Sequence, residues 1–136
     1  MDLKFRKKYS SIDSCIILRT LQGNVPAQKK KAVEFLLSGG DFYVDEVVIM
    51  ETVYVLTKDH TPRQKIVDDL RTFLSNSMIQ YNASFFEPVF DNYLSHPSLS
   101  FDDCVIEARI SAKGYTPLWT FDKKFAHQTT TARLLA

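Results

Sequence analysis

Acidic side chains recur in this chain at positions where an element begins. Between Ser100 and Asp122 it reads S-F-D-D-C-V-I-E-A-R-I-S-A-K-G-Y-T-P-L-W-T-F-D. The pattern predicts an acidic helix start, a helix through Ala112, a stop at Gly114, a short strand from Pro117 to Thr120 and a second acidic turn at Asp122. If that strand lies in a parallel sheet, Asp103 and Asp122 can meet at its carboxyl edge, where open α/β folds place their ligands. Two carboxylates held close together attract a cation. The same residues also suit structural work: Ser100-x-x-Asp103 is a capping box, and Asp122 can be a simple N-cap. Taken singly, each acid reads first as a cap, so a metal site asks for further carboxylates at the same edge.

Two more acids are candidates. Tyr9 to Ile12 forms a plausible first strand, and Asp13 follows it at the junction with an apolar helical turn starting at Ser14-Cys15-Ile16. Farther on, Asp45 caps a helix running to about Lys58, in which Val47, Val48, Tyr54 and Val55 stand three or four residues from Glu51. That spacing places the Glu51 carboxylate within an apolar stripe. A buried, unpaired carboxylate costs several kcal/mol or takes up a proton, so Glu51 calls for a metal, a cleft or a cationic partner.

The elements that must position these acids alternate between strand and helix. Pro26 opens a helix whose Val33, Leu36 and Leu37 share a face and which Gly39-Gly40 ends; Lys29-Lys30-Lys31 on its early turns reads as a solvated face. Phe42 to Val44 and Met78 to Tyr81 read as strands. Between them Thr61-Pro62 starts a helix that buries Ile66, Leu70, Phe73 and Leu74. Phe86, Val89, Phe90 and Tyr93 form a further helical stripe, read as core or subunit interface rather than as a base-stacking platform. Lys123-Lys124-Phe125 reads as a short helical turn, and Arg133-Leu134-Leu135 can add an edge strand. Alternating strands and helices imply a parallel sheet covered on both faces.

Composition bounds the rest. A chain of 136 residues with 45% apolar content is expected to form one domain, residues 1–136, with a core that needs no disulfide or metal staple. The net charge of +1 does not suggest a strongly basic nucleic-acid binder, although it leaves room for a local basic rim. Cys15 and Cys104 lack zinc-ligand spacing, and His60, His96 and His127 form no helical pair. Lys4, Arg6, Lys7 and Lys8 interrupt any apolar N-terminal segment, and no run approaches a membrane span; a cytoplasmic protein is expected.

Asp13, Glu51 in V-V-I-M-E-T-V-Y-V-L, Asp103 in S-F-D-D-C-V-I-E-A and Asp122 in T-F-D-K-K-F stand in an order that resembles the PIN-domain nucleases. In size and spacing the chain looks like their VapC-type ribonuclease toxins. The resemblance runs from about Tyr9 to Phe125. It implies a PIN-like three-layer α/β/α sandwich around a short, mainly parallel central sheet. It also implies that Asp13, Glu51, Asp103 and Asp122 are the catalytic and metal-binding quartet, with Thr120 as the small hydroxyl residue before the last acid. Asp103 matches better than Asp102, because Cys104-Val105-Ile106 supplies the small and apolar residues that follow the family's acid. Glu107, one turn beyond, reads as a solvent-facing acid within reach of the rim. At the first motif the family commonly has Asn two residues after the Asp. Cys15 stands there instead, and it cannot reproduce the hydrogen bonds of an amide. Without an activating neighbour, Cys15 reads as a small buried apolar residue.

Oxygen ligands of this kind select magnesium or manganese. The function implied is metal-dependent hydrolysis of RNA phosphodiester bonds by an endoribonuclease, with Ser14 and Thr120 as supporting hydroxyls and Lys7, Lys8, Lys123 and Lys124 as candidates for phosphate contact. The resemblance further implies a homodimer and a small antitoxin partner, and the lack of a long apolar run leads to the expectation of no membrane association. Other readings stay open: an RNA-processing nuclease, a degenerate domain that binds a protein partner, and a phosphotransferase or phosphatase using Asp13 as nucleophile, which lacks a second acid two residues on.

Overall fold

The computed structural model describes residues 8–135. Lys7, one of the cations expected near phosphate, lies outside the described residues. The chain forms two compact units, residues 1–82 and 83–136. Among the described residues there are seven helices and five short strands, and every strand pairing is parallel. This is a mixed α/β fold.

The first unit runs β1 (Ser10–Ser11), α1 (Ser14–Leu21), α2 (Pro26–Leu36), β2 (Phe42–Tyr43), α3 (Glu46–Lys58), α4 (Arg63–Leu74) and β3 (Ile79–Gln80). Its sheet has the order β1-β2-β3, with Ser10 opposite Phe42 and Phe42 opposite Ile79. Ile12, Phe42, Val44 and Ile79 from the strand segments are buried, as are Ile17, Ile49, Val53, Ile66, Val67 and Leu70 from the helices. Parallel strands so short gain their stability from the helices around them rather than from their few ladder bonds.

Three sequence expectations are corrected in this unit. The buried side of α2 is Ala32 and Leu36, while Val33 and Leu37 are exposed, Leu37 at 68%. The buried side of α3 is Ile49, Thr52, Val53 and Leu56, and Val47 and Tyr54 are 64% and 58% exposed. Both helices carry more apolar residues than one buried arc can hold, so periodicity alone does not identify the inward arc. At α4 the cap position is Pro62, not Thr61, and the helix begins at Arg63 without a side-chain cap.

The second unit runs α5 (Ala83–Ser95), α6 (Phe101–Lys113), β4 (Leu118–Thr120), α7 (Lys123–Gln128) and β5 (Ala132–Leu134). The stripe Phe86, Val89, Phe90 and Tyr93 on α5 is buried, as expected. It packs around Phe101 of α6: the Phe86 and Phe101 rings stack with centroids 6.3 Å apart, and Tyr93 meets Phe101 edge-on at 5.3 Å. Offset and edge-on ring pairs add about 0.5–1.5 kcal/mol each beyond the area they bury. Phe101 is the first residue of α6, so this cluster anchors the helix start that carries Asp103. Gly114 ends α6 with φ +71°, the left-handed cap that glycine adopts without a Cβ penalty. The tail strand is present: β5 lies parallel to β4, with Trp119 opposite Arg133 and Thr120 opposite Leu134. The strands therefore form two sheets, three strands in the first unit and two in the second.

Candidate active site

In the second unit, Asp103, Thr120 and Asp122 line one cavity of about 190 Å3, together with Ile106, Leu118, Trp119 and Phe125. Local folding explains the convergence. Ser100 caps α6 by accepting from the Asp103 N–H at 3.1 Å, and the Asp103 carboxylate accepts from the Ser100 N–H at 3.3 Å, closing a capping box. The box holds Asp103 on the first turn of α6. Asp122 caps α7 by accepting from the Phe125 N–H at 3.1 Å, and its own N–H donates to Thr120 Oγ1 at 2.9 Å. Thr120 at the end of β4 thereby orients the Asp122 turn through its side chain.

The cap reading and the ligand reading are compatible in this geometry. The Asp103 capping bond uses Oδ2, and that of Asp122 uses Oδ1. An ionised carboxylate offers two oxygens and about four acceptor sites, so a cap does not exhaust it. Helix N-termini also favour negative charge, which suits a carboxylate at each of these two positions.

In the first unit, Asp13 caps α1, its Oδ1 accepting from the Cys15 and Ile16 N–H groups at 3.0 and 3.3 Å. Ser14, the first residue of α1, is buried. Glu51 is exposed on α3, which corrects the expectation of a carboxylate within a buried stripe. Positions 47, 51 and 54 fall on one helical arc, and that arc faces outward, so solvation removes the need for a compensating partner. Cys15 is exposed rather than buried, and lines a cavity of about 530 Å3 with Arg19, Gln28, Lys31 and Phe35. Arg19 donates there to the Gln28 side-chain oxygen. Glu107 is not simply a solvent-facing acid; it accepts from the hydroxyl of the buried Thr131 at 3.2 Å.

Trp119 also lines the acidic cavity without having been singled out from the sequence. The Arg133 guanidinium lies over the Trp119 ring, 5.8 Å from its centroid. The signal was the alternation within β4, where Leu118 and Thr120 are half-buried and Trp119 between them is exposed.

Comparison with protein-family models matches residues 11–129 to the PIN domain. The chain belongs to the PIN domain family. The match takes in all four candidate acids and both candidate hydroxyls. A comparison with curated proteins finds no match. PIN domains form a nuclease superfamily, generally hydrolases, and PIN nucleases typically use divalent metals. The donor set of this PIN domain can be tested against that requirement. Among the described residues, no group of three or more His, Cys, Asp or Glu forms a metal-holding cluster. Magnesium needs less: it retains several waters and binds through one or two carboxylates plus the substrate's phosphate, all hard oxygens. Asp103 and Asp122, with the Thr120 hydroxyl on the same cavity, fit that minimum. No helix among the described residues is long and apolar enough to cross a membrane.

Proposed function

We propose that this PIN domain is a magnesium- or manganese-dependent endoribonuclease acting as the toxin of a toxin–antitoxin pair, with Asp13, Glu51, Asp103 and Asp122 as its acidic quartet. The observation that carries the reading is the convergence of Asp103, Thr120 and Asp122 on one cavity within a chain of a nuclease family. A divalent ion held there would supply positive charge against the scissile phosphate and would favour the ionised form of an attacking water. The carboxylates of Asp103 and Asp122 would hold it, with Asp13 and Glu51 completing the quartet. Thr120 keeps the Asp122 turn in place through the bond to its N–H. Water adds to phosphorus, one bond from phosphorus to a ribose oxygen breaks, and that oxygen leaves with a proton as a hydroxyl. Lys123 and Lys124, exposed directly after Asp122, would meet the strand's phosphates.

The deciding experiment incubates the protein with mixed-sequence RNA under magnesium, manganese or chelator. Internal cleavage is expected with either metal, none in chelator, and loss of cleavage in Asp13→Asn and Asp122→Asn. Unchanged cleavage in both variants removes the mechanism. Inactivity with every divalent ion transfers the reading to a protein-binding module. The toxin role carries its own test, since it requires a small protein partner that suppresses cleavage, and a homodimer in solution. An acidic cleft favours an arginine-bearing partner segment, through charge-assisted pairing with the carboxylates.

A further inference from the structure

We infer that Trp119 is a nucleobase-stacking residue that seats one unpaired base of a single-stranded nucleic acid beside the Asp103 and Asp122 cavity. The inference rests on the nuclease reading for its context and on separate residues for its evidence. Trp119 lines the acidic cavity while remaining 55% exposed. Phe121, lying between Thr120 and Asp122, is 77% exposed. Two large rings left mostly in water at this place forgo part of the burial worth about 25 cal/mol per Å2, so core packing does not account for them. Across the strand pair, Trp119 is in register with Arg133, whose guanidinium lies 5.8 Å from the ring centroid. Among the described residues Arg133 makes no salt bridge, which leaves its charge available to a phosphate. Lys123 and Lys124 follow the cavity's last acid.

An exposed ring flanked by cations is the arrangement by which proteins hold single strands: bases stack on the aromatic face and the basic side chains track the backbone. Two features favour a nucleic acid over a protein partner. The cores of protein interfaces are depleted in charge, whereas this ring shares its cavity with Asp103 and Asp122 and lies under the Arg133 guanidinium. The cavity of about 190 Å3 is also below the roughly 300–1,000 Å3 that encloses a whole small molecule, which suits one segment of an extended polymer. A duplex cannot use the site, since its bases are already stacked on one another.

Trp119 is the only tryptophan in the chain, so tryptophan emission, excited where tyrosine does not absorb, reports on this ring alone. The experiment titrates the protein in chelator, and the Asp103→Asn protein with magnesium, with three strands: a single-stranded oligoribonucleotide, an abasic strand of equal length and the corresponding duplex. Tryptophan emission and the anisotropy of a labelled strand are both read. Saturable quenching by the base-bearing single strand alone is expected. Trp119→Leu should weaken its binding by roughly 5- to 150-fold, and Trp119→Phe should recover part of that loss. Melting temperatures of both variants check that they fold. Strand binding that leaves the emission unchanged, or equal quenching by the abasic strand, overturns the stacking assignment while leaving the nuclease reading intact. Absence of strand binding in both proteins overturns it too, as does an emission change produced only by self-association. Quenching and weakened binding in a protein that cleaves no RNA under any divalent ion uphold the stack and remove the nuclease reading.

Discussion

Asp103 carries two assignments, cap and ligand, and a pair of substitutions separates them. Ser100→Ala removes the acceptor of the Asp103 N–H at 3.1 Å and leaves the carboxylate unchanged. Loss of a serine N-cap costs about 0.5–2 kcal/mol. Asp103→Asn leaves the Ser100 bond in place, and its amide oxygen can still accept from the Ser100 N–H, a long contact of 3.3 Å. What it loses is charge at the helix N-terminus, about 0.3–1 kcal/mol. The structure therefore predicts that Ser100→Ala is at least as destabilising as Asp103→Asn. At roughly 2–8 °C per kcal/mol for chains of this size class, both proteins stay folded at assay temperature if the parent melts in the usual mesophilic range. Activity should follow the opposite order. Ser100→Ala should cleave RNA within a few-fold of the parent, whereas Asp103→Asn should lose on the order of 100-fold or more, about 2.7 kcal/mol of transition-state stabilisation. The assay is initial-rate cleavage of a labelled single-stranded RNA at saturating magnesium, alongside thermal melts of all three proteins. Equal losses of activity in two folded variants, or full activity in Asp103→Asn, would refute the assignment of a chemical role to this carboxylate.

Glu51→Gln should change the stability of the metal-free protein by no more than about 0.5 kcal/mol, since the side chain is exposed on α3; a larger loss in a chelator melt would mean that the carboxylate has a structural partner. If Glu51 is a ligand, the same variant should also show a smaller rise in melting temperature on adding magnesium, because an ion bound only by the native state stabilises that state by RT ln(1 + [L]/Kd). Thr120→Val removes the acceptor of the Asp122 N–H, held at 2.9 Å, and should cost about 0.5–1.5 kcal/mol with a parallel fall in cleavage rate. Thr120→Ser, which keeps the hydroxyl, should restore both, and failure of that rescue would argue against the bond as the cause. A maleimide should label the native protein at the exposed Cys15 and spare the fully buried Cys104, giving one adduct before denaturation and two after; two adducts in the native state, read by mass spectrometry, would contradict the burial of Cys104.

The element order was legible in the sequence because local chemistry sets it. Asp13, Asp45, Ser100 with Asp103, and Asp122 each present a side-chain oxygen that accepts from a backbone N–H at a helix start, and Gly114 supplies the left-handed residue at a helix end. Such bonds span two or three residues, so a linear pattern contains them. The α5 stripe was legible for a related reason: Phe86, Val89, Phe90 and Tyr93 form a single apolar arc, and only one rotation of the helix buries it. Helix α3 has no such uniqueness. Val47 and Tyr54 flank Glu51 as plausibly as Ile49, Val53 and Leu56 form a core, and neighbours distant in sequence decide that the second arc is buried. Periodicity measures the angle between side chains and carries no information about the direction of the interior. The same limit applies to Cys15, apolar enough to bury yet left on a cavity wall, and to Trp119, whose meaning depends on a strand fourteen residues on bringing Arg133 opposite it. The acids were thus identifiable one by one from their capping positions. That Asp103, Thr120 and Asp122 share a cavity follows only from the tertiary arrangement that brings the starts of α6 and α7 and the strand β4 to one place, which is a property of the folded unit and not of any single segment.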